Sequence, residues 1–208
     1  GYHLANLLPE NGFDVARALA GSAGTLAMIL RARVGLVDKP GPTALLAVGY
    51  DTTVDSARDV MTMLELRPSA IEGLNASIVD IMRHRRGADT VAGLPEGVAY
   101  VMVEFSAETI EAAAERCEEL VARLRENGRM RDYVIATAAE DRQKLWRVRE
   151  DGAGLSSKQP DGVQTWPGWE DSAVAPEKLA DYLAELLPVI DAHGYRASIY
   201  GHFGAGCV

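Results

Sequence analysis

The sequence is poor in cysteine, and its two cysteines stand far apart. Cys117 falls in a stretch with helical periodicity, and Cys207 lies in a glycine-rich turn beside the last residue. This pattern matches neither a disulfide framework nor the Cys-x-x-Cys pair typical of a metal site. We therefore expect the protein to work in a reducing compartment, the cytoplasm.

Long apolar runs are also lacking. No stretch reaches the roughly 18–20 apolar residues that a membrane-spanning helix requires. The opening residues, Gly-Tyr-His, include no initiating methionine and lack a signal-peptide layout. We expect no membrane span, and we expect the chain to be a fragment of a longer protein.

Basic residues are in deficit. The chain carries 21 Lys and Arg against 30 Asp and Glu, which gives a net charge of −9 at pH 7. A surface with this excess of negative charge repels nucleic-acid phosphates and anionic lipids. Nucleic acid is therefore not expected as a partner.

Hydrophobic residues, by contrast, are plentiful, at 48% of the 208 residues, and they supply a sizeable core. An Asp-Lys-Pro-Gly-Pro break at 38–42 interrupts the chain. Before it, the pattern predicts a strand over 26–36 and does not resemble the opening of a domain. We predict a domain boundary here, with residues 1–42 as the last segment of one domain and residues 43–208 as another.

After the break, short apolar stretches alternate with amphipathic helices. The predicted strands cover 44–50, 69–74, 97–105, 133–137 and 197–200. The predicted helices cover 53–66, a stretch ending in the basic run 83–86, 107–127, 140–150 and 176–193. Loop lengths that allow antiparallel pairing favour an α+β fold, a ferredoxin-like antiparallel sheet with helices on one face.

A glycine-rich turn at 21–25 is the first candidate site. Gly21, Ser22, Gly24 and Thr25 combine accessible backbone N–H groups with two hydroxyls, as a phosphate cradle requires. The turn lacks the lysine of a Walker motif and does not match Gly-x-Gly-x-x-Gly. A purely structural turn is the alternative.

The second candidate is Arg149, which follows Leu145 and Trp146 on a predicted helix at spacings of four and three. Its guanidinium is suited to binding a carboxylate, and the alternative is a surface ion pair with Glu150 or Asp151. Two tryptophans, Trp166 and Trp169, stand in a turn-rich loop further along, where they either line a pocket or cover the core.

The third candidate is His202, at the end of a predicted strand and within a short span that holds three glycines, Gly201, Gly204 and Gly206. A histidine in this position suits a metal ligand or a proton carrier. No second histidine or carboxylate stands at ligand spacing inside the chain, so ordinary hydrogen-bonded structure is the alternative.

Three motifs together carry a family resemblance: Ala-Gly-Ser-Ala-Gly-Thr-Leu at 20–26, Leu-Trp-Arg-Val-Arg-Glu at 145–150 and Tyr-Gly-His-Phe-Gly-Ala-Gly at 200–206. In this order and at these separations they resemble the FAD-linked oxidases of the D-lactate dehydrogenase and glycolate oxidase type, which are vanillyl-alcohol-oxidase-like flavoproteins. The resemblance implies that residues 1–42 end an FAD-binding domain and that residues 43–208 form most of the C-terminal cap domain. The loop at 166–171 resembles the subgroup that works with an iron–sulfur module, which lies outside this chain.

The resemblance also implies roles for single residues. FAD would contact Gly21, Ser22, Gly24, Thr25 and Ile29, although Ala23 stands where the family has glutamate. Arg149 would hold the substrate carboxylate, and Trp169 stands near a position where relatives have lysine. His202 would be a catalytic residue and a ligand of a divalent metal, with the other metal ligands beyond Val208. Ala205 replaces the family's aspartate in this motif.

The expected function is therefore that of the C-terminal part of an FAD-dependent oxidoreductase. Its substrate would be a small D-2-hydroxy acid similar to lactate or glycolate, oxidised by hydride transfer to the flavin. The electrons would pass to an acceptor such as the iron–sulfur module. The alternative is a ferredoxin-like ligand-binding or regulatory domain without redox chemistry.

Overall fold

A computed structural model describes residues 2–157, 161–163, 165 and 171–208. The chain forms two compact units, Gly1–Lys39 and Pro40–Val208. In the sequence, the division between them falls after Lys39.

The first unit contains little regular structure. Two short 3-10 helices, Leu4–Leu7 and Pro9–Asn11, precede the helix α1 at Val15–Leu19. Asp14 caps α1, since its Oδ1 accepts a hydrogen bond of 3.0 Å from the backbone N–H of Arg17. The strand predicted over 26–36 was wrong: residues 27–42 form neither helix nor strand, and Leu30 and Leu36 are 88% and 93% exposed. Apolar sequence alone does not make a strand, because a strand needs a partner for its backbone hydrogen bonds.

The second unit is built on an antiparallel sheet. Its strands are β1 Thr43–Tyr50, β2 Ala70–Asn75, β3 Ala99–Ser106, β4 Met130–Ala136 and β5 Tyr200–Gly201. They lie in the order β4-β1-β3-β2-β5, and each neighbouring pair is antiparallel. The helices are α2 Thr53–Arg58, α3 Val60–Glu65, α4 Ala76–Arg86, α5 Ile110–Asn127, α6 Ala139–Leu155 and α7 Leu179–Ala192. The prediction of an α+β fold with an antiparallel sheet is confirmed.

Both faces of the sheet are covered by helices, whereas the sequence predicted helices on one face. Strand side chains alternate between faces, so Leu46 and Val48 enter one core cluster while Leu45 and Ala47 enter the other. The first cluster packs against α2, α3, α5 and α7, and the second against α4 and α6. The continuous burial of β1 from Ala44 to Tyr50 follows from this three-layer arrangement. We call the second side the α4/α6 face.

Several predicted boundaries changed in the structure. The helix predicted over 53–66 is two helices that meet at Asp59, a fully buried residue. The helix predicted to end at 150 continues to Leu155, and the strand predicted over 197–200 consists of Tyr200 and Gly201 alone. Within the described residues, no helix is long and apolar enough to cross a membrane.

Candidate functional site

The glycine-rich turn of the first unit has the backbone geometry of a cradle. Gly21, Ala23 and Gly24 have φ values of 79°, 49° and 73°, in the left-handed region that favours glycine. A Cβ built at Gly21 or Gly24 would meet no atom within 4 Å, so the space beside both glycines is open. In the described part of the chain, the N–H groups of Ala23 and Gly24 donate to no backbone carbonyl.

The side chains predicted to contact FAD differ in their surroundings. Ser22 is buried, and its carbonyl oxygen accepts a 2.6 Å hydrogen bond from the hydroxyl of Thr25. The Thr25 hydroxyl also lies 2.7 Å from the hydroxyl of Tyr2. Ile29 is 62% exposed. An open turn with free N–H groups fits a cofactor that carries phosphates, because such groups bind anionic oxygens.

In the second unit, Arg149 and His202 converge on Glu72. Glu72 Oε2 lies 3.1 Å from Nε and 3.0 Å from Nη2 of Arg149. The other carboxylate oxygen, Oε1, lies 2.6 Å from Nδ1 of His202. One carboxylate therefore joins two side chains that were predicted separately from the sequence.

The packing of α6 explains the position of Arg149. Leu145, Val148 and Gly152 form the buried stripe of this helix. A Cβ at Gly152 would come closer than 3.0 Å to the side chain of Ile78 on α4, so glycine allows the two helices to approach closely. Arg149 follows Val148 directly, so the packing of this buried stripe brings Arg149 close to the sheet.

Strand register explains the position of His202. Gly73 pairs with Gly201 and Leu74 pairs with Tyr200, so His202 continues β5 opposite Glu72. Side chains two residues apart share a face of the sheet, which places Glu72, Leu74, Tyr200 and His202 on the α4/α6 face. The pairing joins positions 130 residues apart in the chain.

One aromatic ring contacts the cluster, and a second lies one turn away on α6. The Cζ atom of Arg149 lies 5.1 Å from the centroid of the Tyr200 ring, within the range of a cation–π interaction. One turn earlier on α6, Trp146 Nε1 donates a 3.2 Å hydrogen bond to Glu104 Oε2 on β3. The indole thus fixes α6 to the sheet beside the cluster.

The three central side chains differ in exposure. The side chains of Glu72 and Arg149 are each 13% exposed, while that of His202 is 63% exposed. An ion pair with little solvent around it interacts more strongly than one at the surface. The cluster therefore combines a shielded charge pair with an imidazole that solvent molecules reach.

The sequence did not single out Glu72. It stands among apolar residues in the predicted strand 69–74, and a carboxylate at such a position is the signal that points to it.

Among the described residues, no group of three or more His, Cys, Asp and Glu side chains is placed to hold a metal ion. The tryptophans at 166 and 169 lie outside the described residues.

Comparison with known proteins finds relatives that are named as D-2-hydroxyglutarate dehydrogenases and D-lactate dehydrogenases. Over 219 residues the chain is 28% identical to D-2-hydroxyglutarate dehydrogenase of Escherichia coli, covering 99% of the chain and 22% of that protein. It is 27% identical over 201 residues to D-lactate dehydrogenase of Archaeoglobus fulgidus, covering 96% of the chain and 42% of that protein. The chain thus spans less than half the length of either relative.

A family model agrees with these relatives. The model described as FAD linked oxidases, C-terminal domain, matches residues 39–208, which include all of the sheet and the Arg149–Glu72–His202 cluster. The match covers most of the chain, and the family is the one that the three sequence motifs resemble. The chain belongs to the FAD-linked oxidases and carries their C-terminal domain.

Proposed function

We propose that this chain is part of an FAD-dependent dehydrogenase that oxidises a small D-2-hydroxy acid to the 2-oxo acid. The convergence of Arg149 and His202 on Glu72 carries the proposal. Oxidation of a hydroxy acid needs a cation for the carboxylate and a group that manages the hydroxyl proton, and the cluster offers both.

Arg149 and His202 take these two roles. The guanidinium of Arg149 binds the substrate carboxylate, since its planar fork forms charge-assisted hydrogen bonds with carboxylates. His202, as the exposed member of the cluster, takes the hydroxyl proton or holds a divalent metal beside the hydroxyl. Bound FAD would accept the hydride from the substrate carbon.

The cofactor assignments belong to the same proposal. Gly21, Ser22, Gly24, Thr25 and Ile29 would contact the FAD, supported by the open turn and its free N–H groups. On this proposal, residues 1–42 close an FAD-binding domain, and residues 43–208 form the cap domain on the substrate side. The metal and an iron–sulfur module as electron acceptor are proposed on the sequence motifs alone, and the cytoplasm as location is proposed on the low cysteine content.

The cluster and the relatives support the proposed substrate class. D-lactate and D-2-hydroxyglutarate, the acids in the relatives' names, share a carboxylate next to the hydroxyl carbon and differ in a second carboxylate. Arg149 meets the carboxylate that both acids possess. The proposal therefore extends to D-2-hydroxy acids of both kinds.

The test uses the full-length protein with an artificial electron acceptor and a panel of lactate, glycolate and 2-hydroxyglutarate, with D enantiomers where they exist. We expect flavin absorbance and oxidation of at least one acid. Arg149→Ala should raise KM, because a charged contact to the carboxylate is lost, and His202→Ala should lower kcat.

The matched control is Arg147→Ala, an exposed arginine two residues from Arg149 on the same helix, which should leave both constants unchanged. A full-length protein that binds no flavin would favour the ligand-binding alternative. Full activity in both the Arg149 and His202 variants would overturn the assigned roles.

A further inference from the structure

The carboxylate of Glu72 divides its two oxygens between the two candidate functional side chains. Oε2 accepts from Arg149, and Oε1 is bonded to His202. Glu72 is 13% exposed and lies on β2, a strand of the sheet itself. A side chain held in this way is a fixed support for both partners.

We propose that Glu72 is a positioning residue that sets the orientation of Arg149 through Oε2 and the orientation and tautomer of His202 through Oε1. This inference rests on the proposed function, since it concerns how the same two side chains meet the substrate. Glu72 acts through its partners and makes no contact with the reacting atoms.

The Arg149 contacts define one edge of the guanidinium. Nε donates to Oε2 and Nη2 lies 3.0 Å from the same oxygen, so the edge between these two nitrogens lies beside Glu72. The ring of Tyr200 lies over the guanidinium carbon and restricts rotation of its plane. In the described part of the chain, Nη1 donates to no protein atom, which makes it the nitrogen available to a substrate carboxylate.

The His202 contact selects a ring nitrogen. An ionised carboxylate only accepts hydrogen bonds, so Nδ1 carries the proton that is shared with Oε1. In the neutral ring the lone pair then resides on Nε2. Glu72 thereby presents Nε2 as the atom that takes a proton or binds a metal, as carboxylate partners of ligating histidines do.

Stability alone does not account for this arrangement. An ion pair in a shielded position gains little net free energy over apolar residues of the same size, because both charges lose their hydration. The rest of the α4/α6 face shows that apolar residues fill this layer readily. The Glu72 carboxylate is instead placed where it contacts the exposed His202.

The test compares Glu72→Gln with wild type in the full-length protein. Glutamine keeps the size of the side chain but has one accepting oxygen and one amide donor, so it cannot accept from both partners. We expect KM for the hydroxy acid to rise about 10-fold or more and kcat to fall, in the range typical of lost carboxylate partners. The double variant Glu72→Gln/Arg149→Ala should have the same KM as the single variant Arg149→Ala, because Glu72 acts on KM through Arg149.

Glu104→Gln is the matched control, because Glu104 lies on the same face of the sheet and its amide replacement still accepts from Trp146. It should leave KM and kcat unchanged. Should Glu72→Gln fail to fold, Glu72→Asp takes its place in the same measurements. Aspartate keeps the charge but is one methylene group too short to reach both partners, so the same rise in KM and fall in kcat are expected.

Crystal structures of wild type and variant supply a readout other than activity. The Arg149 guanidinium or the His202 ring should change orientation in the variant. Unchanged orientation of both, KM and kcat within about twofold of wild type, or additive effects of the two substitutions would each overturn the proposal. Should the wild type oxidise no hydroxy acid, the proposed function fails, and the crystal structures still decide the role of Glu72.

Discussion

The aromatic ring of Phe203 occupies the space beside Gly73 on β2. A Cβ built at Gly73 would come closer than 3.0 Å to three atoms of this ring, and Phe203 is fully buried. The ring thus packs against strand backbone on the face opposite Glu72. Because Phe203 follows His202 directly, this contact holds the backbone that delivers the histidine to the cluster.

Replacing Gly73 with alanine should therefore destabilise the protein. The added methyl group forces the buried ring or the strand to move, and overpacking of this kind costs about 1–3 kcal/mol. The same movement should displace His202 and lower kcat. Urea unfolding followed by circular dichroism measures the stability change.

Gly154→Ala is the control for this substitution. Gly154 lies in α6 with nothing within 4 Å of a Cβ, and its φ is helical. Alanine there should be neutral or stabilising by up to about 1 kcal/mol, since glycine is a poor helix former. Equal stability of the two variants would show that the space beside Gly73 is not confined.

The local elements of the fold were predictable where the sequence pattern was strong. The strand predicted at 44–50 is Thr43–Tyr50, and the helix predicted at 107–127 is Ile110–Asn127, which ends at the left-handed Gly128. Helices on both faces were not predicted, although the continuous apolar run of β1 is the pattern of a strand that is buried on both faces. The strand at 26–36 failed for a different reason, as pairing depends on residues distant in the chain.

The candidate site was predictable as separate residues and not as a cluster. Arg149 and His202 were found by their motifs, whereas their meeting point depends on the pairing of Gly73 with Gly201. Such a register between distant strands is set by the whole sheet. Glu72 was missed for this reason, because nothing in its own segment shows which side chains lie opposite it.

A buried carboxylate, that of Asp59, lies at the break between α2 and α3. Asp59 is fully buried, and its Oδ1 accepts hydrogen bonds of 2.9 and 2.5 Å from Nε and Nη2 of Arg129. Arg129→Ala removes these donors, and among the described residues only the 2.8 Å bond from Asn127 to the carboxylate then remains. We expect a loss of about 1–3 kcal/mol in urea unfolding, the cost of a buried group with too few partners.

An exposed arginine provides the comparison. Arg123 pairs with Glu65 and Glu119 at the surface, and exposed pairs of this kind contribute about 0–1 kcal/mol. Arg123→Ala should therefore be clearly milder than Arg129→Ala. If the two substitutions cost the same, burial of Asp59 does not raise the importance of its partner.

The buried thiol of Cys117 should make stability depend on alkaline pH. Burial raises its pKa from 9.0 to about 12, and the nearby Glu118 carboxylate adds to the shift. The folded state holds this proton more tightly, so its contribution is complete below pH 9 and is lost as pH rises from 9 towards 12. The loss amounts to at most about 1.4 kcal/mol per pH unit.

Cys117→Ala isolates that contribution, because other groups also titrate at high pH. Urea unfolding of wild type and variant should give parallel stabilities from pH 7 to 8.5 and a steeper fall for wild type above pH 9. Identical pH profiles would contradict the shifted pKa. Alkylation mapped by mass spectrometry adds a second check: at pH 8 the partly exposed Cys207 should react well before Cys117.

The glycine-rich turn offers a test of the flavin assignment that does not involve the substrate. Gly24→Ala places a side chain at a φ of 73°, which costs roughly 1 kcal/mol in backbone strain, and it adds a methyl group to the open space where the cofactor would lie. We expect the full-length variant to retain less FAD per chain than wild type, measured by flavin absorbance after dialysis. Gly35→Ala is the control, since Gly35 has equally open space without a left-handed φ. Equal flavin content in both variants would remove the turn from the flavin site, because strain and added bulk at a cofactor contact must weaken binding.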